Sequence, residues 1–171
     1  LTGSVTVTGG AGRLGQLRWR DLALAARIEG GQVEVESAQA RVLDGQVIAA
    51  GRLPLRHVAD GTPTRLRFEL RDLDLAPLLE TDDDTRAEPG ASLLASLDGR
   101  LEATGPALEE LALLGQISRL DWRSRDGQLG LEAPAALRLD RGRAALEGLR
   151  LAGSLGTLEA SARADLRGAR P

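Results

Sequence analysis

The chain has 171 residues and a formal net charge of −3, and its 42% hydrophobic and 27% charged residues are the balance of a folded protein rather than a disordered one. All its basic residues are arginines that alternate with acidic residues along the chain, so no basic stripe for nucleic acid is expected. The chain has no cysteine, which excludes disulfides and cysteine-based zinc sites, and no apolar stretch reaches the roughly 18 residues that a membrane-spanning helix needs.

Short runs of alternating apolar and polar residues dominate the chain from its beginning. Because successive side chains of a strand point to opposite faces, each run predicts a β-strand with one apolar and one charged face. The predicted strands, in chain order, are residues 5–7, 17–19, 22–28, 33–35, 47–55, 66–71, 97–103, 111–117, 120–122, 129–133, 137–140, 149–155 and 158–166.

Glycine-containing dipeptides separate several of these strands. Gly30-Gly31, Asp44-Gly45 and Asp126-Gly127 favour the positive φ that tight hairpins need. Strands joined by such short links pair as an antiparallel meander. We therefore expect an all-β fold made of an elongated antiparallel sheet.

One segment interrupts the strands. Residues 75–80 predict a short helix, and the acidic, proline-containing residues up to about 90 predict a loop. The sequence repeats on either side, since residues 1–9 align with 97–105 and residues 17–20 with 120–123, a period of about 100 residues. The predicted organisation is one block of strands at 1–75, a short helix and acidic loop at 76–92, and a second block at 93–171.

Residues 10–15, Gly-Ala-Gly-Arg-Leu-Gly, imitate a dinucleotide-binding fingerprint after an apolar strand, with Glu34 and Glu36 about twenty residues further on. Short-chain dehydrogenases, which this pattern suggests, catalyse with a tyrosine and a lysine, and the chain has neither. The sequence after the motif also continues to alternate, where a parallel sheet would require a crossover helix. The motif is interpreted as a glycine-rich turn.

Catalytic and metal-binding constellations are not found in the sequence. His57 is the only histidine, so it cannot build a triad or a multi-histidine metal site, and Asp82, Asp83 and Asp84 lack the ligand spacing of a calcium loop. We expect no catalytic residue, no metal site and no cofactor, hence a protein that is not an enzyme.

The apolar faces of the predicted strands are the remaining candidate site. A sheet with one apolar face must fold over on itself, meet a partner or hold something apolar. Composition leaves open whether this face is a groove that accepts acyl chains or the dry core of a β-sandwich. The predicted lining residues are Val5, Val7, Trp19, Leu22, Leu24, Val33, Val35, Val47, Leu53, Leu66, Phe68, Leu70, Leu97, Leu101, Leu111, Leu113, Ile117, Leu120, Trp122, Leu129, Leu131, Leu137, Leu139, Leu149, Leu151, Leu155 and Leu158.

Two stretches resemble the repeat of the TamB and AsmA-like proteins. One is LRDLDLAPLL at residues 70–79, followed by a loop and then LDGRLEATG at 97–105. The other is GQVEVESA at 31–38 with LDGQVIAAGRL at 43–53, which is similar to the strand–hairpin–strand pattern of the same repeat. Together with the strands around them they cover most of the chain.

The resemblance implies a β-taco, or repeating β-groove: a long curled sheet with a hydrophobic interior, anchored in the inner membrane and crossing the periplasm. Such proteins are similar to bridge-like carriers that move phospholipid between the inner and outer membranes, with the acyl chains in the groove. The implied partners are neighbouring repeats of the same chain and an outer-membrane barrel. The anchor and the carboxy-terminal domain of the family are not recognisable in these residues, so the chain is expected to be a middle segment of a longer protein.

The same strand pattern has two further interpretations. In the first, the open sheet edges pair with neighbouring repeats or with an unfolded outer-membrane strand by β-augmentation, which would make the chain a structural or assembly module. In the second, the chain inserts as an outer-membrane barrel, which is disfavoured because the aromatic girdles of such barrels are absent.

Overall fold

A computed structural model describes residues 2–14, 17–55, 63–79, 91–104 and 110–167, and nearly all of them belong to one antiparallel sheet of twelve strands. The strands are β1 (Gly3–Thr8), β2 (Ala11–Leu14), β3 (Leu17–Glu29), β4 (Gln32–Val42), β5 (Gly45–Pro54), β6 (Thr64–Asp74), β7 (Ser92–Ala103), β8 (Leu111–Arg123), β9 (Gln128–Leu131), β10 (Ala135–Asp140), β11 (Arg143–Gly153) and β12 (Gly156–Asp165). The predicted all-β, curled antiparallel fold is confirmed.

The sheet is a meander of ten lanes. β1 and β2 lie end to end along β3 and share one lane, and β9 and β10 share another between β8 and β11. The lane order follows the chain order throughout. β6 pairs with β7 along both strands, so the two predicted blocks form one continuous sheet.

The predicted short helix is not seen beyond one helical turn, α1 (Ala76–Leu79). It follows β6, and the acidic loop predicted after it lies largely outside the described residues.

Two pairs of predicted strands are single strands in the structure. The segments 17–19 and 22–28 are both part of β3, and 111–117 and 120–122 are both part of β8. In each case a β-bulge shifts the register, near Asp21 and near Ser118. A bulge adds one residue and so breaks the alternation in sequence without ending the strand.

The hairpin at Gly30-Gly31 is confirmed, with φ of 57° and 78° between β3 and β4. The next turn lies one residue earlier than predicted. Val42 pairs with Gly45, and the two turn residues are Leu43 and Asp44, with φ of 48° and 59°.

Bulges interrupt the register in five strands: β3, β4, β6, β8 and β11. Three of them contain a residue with left-handed φ, namely Asp21 (56°), Asp72 (50°) and Gly148 (73°). Since a bulge bends its strand and increases the local right-handed twist, these positions curl the sheet.

The sheet has no second layer among the described residues. Only four hydrophobic residues are buried there, Ala26, Leu73, Ala135 and Leu151, and no large side chain is fully buried. The accessible surface is 11950 Å² for 18.0 kDa, whereas a compact monomer of this mass exposes about 8,000 Å². A sandwich core, which the composition left open, is absent from the part of the chain that is described.

Candidate binding faces of the sheet

Register pairing makes one face of the sheet apolar from edge to edge. Residues directly opposite each other on neighbouring strands share a face, so the pairings define rows that cross the lanes. The first apolar row is Val5, Ala26, Val35, Gly51, Leu66, Leu101, Leu113, Leu139, Ala144 and Ala164. The second apolar row is Val7, Leu24, Ala38, Ala49, Phe68, Gly99, Gly115, Leu137, Leu146 and Ala162. Both rows span all ten lanes without one polar side chain.

The predicted lining residues fall on this apolar face, with one exception. Each of the others lies at a strand position whose pairing or alternation places it there. Leu155 instead lies in the two-residue turn between Gly153 and Gly156, where it is 42% exposed. The strand predicted to continue to this residue ends at Gly153.

The structure adds apolar-face residues that the sequence analysis missed. Simple alternation from Leu66, Phe68 and Leu70 would place Leu73 on the opposite face. The bulge in β6 adds one residue before it, so Leu73 lies on the apolar face, where it pairs with Ala95. Ala26 lies in the first row and is buried. Extending the alternation to the ends of the strands would have found several of these residues, but only the paired strand reveals a bulge.

Small residues make room for the single phenylalanine of the chain. Phe68 pairs with Ala49 on one side and Gly99 on the other, and Gly99 pairs in turn with Gly115. A β-carbon at Gly99 would lie 2.7 Å from Cζ of Phe68, so the ring rests on the glycine backbone. In the middle of the apolar face the phenylalanine ring therefore occupies the space that a side chain at Gly99 would fill.

Both tryptophans lie on the apolar face and near the same edge of the sheet, where the strands begin or end. Trp19 is near the start of β3 and pairs with Val42 near the end of β4. Trp122 is near the end of β8, pairs with Leu93 and Leu129, and is 37% exposed. Because neighbouring strands alternate in direction, these positions lie along one rim of the sheet.

The opposite face carries the charges. In one row of this face, positive and negative residues alternate over much of its length. The row is Ser4, Arg27, Glu34, Arg52, Arg65, Glu102, Ala112, Asp140, Arg143 and Asp165. Arg52 contacts Glu34 at 3.3 Å and Arg65 contacts Glu102 at 3.1 Å. These pairs are exposed, so each contributes at most about 1 kcal/mol, and their main consequence is a water-compatible face.

A second charged row has a different composition. It runs Ala50, Arg67, Arg100, Leu114, Arg138, Ala145 and Arg163, with no acidic residue, and is called the arginine row below. Arg138 contacts Asp140, and Arg163 contacts Glu147. Leu114 is 60% exposed, the most exposed of the large hydrophobic residues in the described ranges.

The charged face has several concavities, and two of them adjoin each other. Their volumes are about 520 and 780 Å³, and Ala50, Arg67, Arg100 and Leu114 line both of them. The first also includes Glu69, Asp98 and Gln116, whereas the second extends to Glu34, Arg52, Arg65 and Glu102. The concavities therefore meet at the arginine row and not on the face where the sequence predicts a groove.

An arginine ties two bulges together across β7. Arg119 follows the bulge in β8, and its guanidinium contacts Asp121 at 2.6 Å and also Asp72 in the bulge of β6. The backbone N–H of Asp72 donates to Oγ of Ser96 at 3.0 Å. This cluster links three strands at the point where two of them bend.

Two carboxyl groups on the charged face have lowered pKa values. The hydrogen bond from Arg71 lowers the pKa of Glu69, although desolvation acts in the opposite direction. Hydrogen bonds from the side chain and backbone of Arg167 hold the pKa of Asp165 well below its usual range. Both groups are exposed, and both shifts keep the face charged at mildly acidic pH.

The sequence motifs considered for cofactor or metal binding do not form such sites in the described residues. Gly9 and Gly10 have φ of 84° and 89°, and the strand β2 follows them where a dinucleotide fingerprint requires a helix. His57 and Asp82–Asp84 lie outside the described residues. Within those ranges no cluster of three or more potential metal ligands is present, and no helix has the length and apolar character to cross a bilayer.

No family model, no curated protein and no solved structure matches the chain.

Proposed function

We propose that the chain is a segment of a hydrophobic-groove protein, of the TamB and AsmA-like kind, that carries phospholipid between the inner and outer membranes across the periplasm. Its apolar face would contact the acyl chains, and its charged face would be turned to water. The observation that carries the proposal is the pair of uninterrupted apolar rows on a sheet that nothing covers in the described ranges. Such transport requires a continuous apolar path and no catalytic group.

The dimensions of the apolar face suit an elongated ligand. Ten lanes spaced about 4.8 Å apart carry the rows over about 43 Å along the sheet. Each methylene removed from water contributes about 0.8 kcal/mol, so even part of an acyl chain laid on Leu66, Leu101 and Leu113 is held by several kcal/mol. A face of Leu, Val, Ala and Gly offers no polar group that would fix the ligand at one position, which favours passage along the groove.

Native mass spectrometry with lipid extraction on the segment purified from a bacterial host tests the proposal. We expect co-purifying phospholipid. Leu113→Arg places a charge in the first apolar row and is expected to abolish lipid binding. Ala112→Arg is the matched control, since Ala112 precedes it in β8 and is exposed on the charged face.

Circular dichroism and a urea titration establish that both variants fold. Lipid lost from Leu113→Arg and retained by Ala112→Arg supports the carrier. Equal lipid content in both variants, or no lipid in the unmodified segment, contradicts it.

The open edges favour a second candidate function, that of an assembly module. All ten residues of β12 and all six of β1 are exposed, and each strand has a neighbour on only one side in the described part of the sheet. Unpaired backbone groups of this kind accept an added strand. Saturable binding of an outer-membrane strand peptide by a lipid-free segment, abolished by Glu159→Pro in β12, would support this alternative over the carrier, since Arg150, the partner of Glu159, makes its backbone bond on the β9 side and the N–H of Glu159 therefore faces the open edge.

A further inference from the structure

The arginine row places two arginines opposite each other, and neither has a carboxylate partner in the described part of the chain. Arg67 of β6 and Arg100 of β7 are directly opposite each other. Side chains in such positions have their β-carbons about 5 Å apart, and like charges placed there are destabilising. An ion pair would relieve the repulsion, yet neither arginine has a carboxylate within ion-pair distance among the residues that the structure describes.

The neighbouring row shows how the same sheet treats a similar conflict. Arg52 and Arg65 also lie directly opposite each other. There each arginine has its own carboxylate, Glu34 for Arg52 and Glu102 for Arg65. Arg67 and Arg100 are thus placed like Arg52 and Arg65 but lack the carboxylate partners that Arg52 and Arg65 have in the described ranges.

The surroundings of the pair form a small amphipathic site. Arg67 and Arg100 stand where the two concavities of the charged face meet, with Ala50 before them in the row and Leu114 after them. Leu114 leaves an apolar side chain exposed beside two cations. A ligand that carries an anionic group on a carbon skeleton matches both properties.

We propose that Arg67 and Arg100 bind a phosphate group, with the carbon atoms attached to it resting on Leu114. Two planar guanidinium forks can donate to different oxygens of one tetrahedral phosphate, and a phosphate monoester carries up to two negative charges, which offset both arginines, whereas a carboxylate carries only one. The carboxylates around the pair set the strength of the site. Glu69 is engaged by Arg71 and Glu102 by Arg65, which leaves Asp98 as the acidic group that competes with the ligand.

This inference does not rest on the proposed function, because the site lies on the opposite face of the sheet. Loss of lipid binding through Leu113→Arg leaves the phosphate site intact, and loss of the phosphate site leaves the apolar rows intact. The two proposals are therefore tested independently.

The test is isothermal titration with inorganic phosphate at low ionic strength, with an equal concentration of chloride as the reference ion. The double variant Arg67→Gln/Arg100→Gln is expected to weaken phosphate binding at least tenfold. Arg138→Gln removes one positive charge from the same row, but this arginine is already paired with Asp140, so the affinity should stay within twofold. Asp98→Asn is expected to strengthen binding severalfold, an outcome that a folding defect cannot imitate.

Vesicles of phosphatidylglycerol distinguish the source of the phosphate. Vesicle binding that is lost in the double variant identifies a lipid headgroup, whereas binding of inorganic phosphate alone identifies a soluble phosphate ligand, and both results support the site. Phosphate that binds no more tightly than chloride, or equally to the double variant and the unmodified chain, overturns the proposal.

Discussion

Glycines at a few positions are fixed by backbone contact and not by turn geometry. Gly51 lies in the middle of β5, within the first apolar row, and has a φ of 153°. A β-carbon there would collide with the carbonyl oxygen of Arg65 on the neighbouring strand. The side chain is excluded by the close approach of two strands, which the sequence alone does not reveal.

Replacing Gly51 by alanine should destabilise the sheet by about 2 kcal/mol, because β5 or β6 must shift to admit one methyl group. A urea titration followed by circular dichroism measures the effect. Gly3→Ala is the control, since Gly3 lies in an exposed edge strand with nothing within 4 Å of the added carbon. A similar small effect in both variants would show that β5 and β6 separate easily.

The pair Glu69 and Arg71 predicts a measurable pH response. Because the hydrogen bond from Arg71 lowers the pKa of Glu69 in the folded state, its contribution to stability is present above the ordinary carboxyl pKa. It is lost as the pH falls through the lowered value. We expect Arg71→Gln to raise the pKa of Glu69 in an NMR titration, whereas Arg138→Gln should leave it unchanged. An unchanged value in Arg71→Gln would mean that the hydrogen bond does not persist in solution.

At the scale of the strand, the bulges are the feature that sequence alternation predicts least well. Within β6 the apolar residues change from even-numbered to odd-numbered positions, since Leu66, Phe68 and Leu70 are followed by Leu73 on the same face. Such a shift looks like the end of one strand and the start of another, which is why β3 and β8 were each predicted as two strands. On either side of each bulge the alternating apolar residues nevertheless lie on one face of the sheet, because alternation is a local property.

Asp72 separates the conformational role of a bulge from its electrostatic role. Its φ of 50° suits asparagine and aspartate and is costly for a β-branched residue. We expect Asp72→Asn, which loses only the exposed ion pair with Arg119, to cost less than about 1 kcal/mol. Asp72→Val should cost about 2 kcal/mol by the same urea titration. If the two variants cost the same, the ion pair and not the backbone conformation holds the bulge.

At the scale of the whole molecule, the lane order was predictable and the charge pattern was not. Short links between alternating strands predict a meander, since neighbouring strands joined by two-residue turns must pair. The opposition of Arg67 and Arg100 depends on the register between β6 and β7, whose connection is long and crosses residues outside the described ranges. No local pattern encodes that register, so the arginine row emerges only from the folded sheet.

The open architecture predicts that stability depends somewhat less on denaturant concentration than in a compact domain of the same size. An extended chain of this mass exposes about 26,000 Å² and a compact fold about 8,000 Å², so a folded surface of 11950 Å² leaves about one-fifth less area to be exposed on unfolding. The urea m-value should be lower than that of a compact domain of 171 residues by about the same fraction. The measurement is made at several protein concentrations to exclude association. An m-value equal to that of a compact domain would indicate that the sheet closes on itself in solution.

The meander has a kinetic consequence. Each lane pairs with the lane next to it in the sequence, so none of the strand pairings in the described ranges requires β1 and β12 to meet. The entropy lost in forming each hairpin is that of a short loop, except where β5 joins β6, β6 joins β7 and β7 joins β8. Folding can then begin at any hairpin and spread to either side by one strand at a time, as in repeat proteins, where stability is roughly the sum of nearest-neighbour interfaces. A chain shortened by β12 would lose one interface and keep the rest.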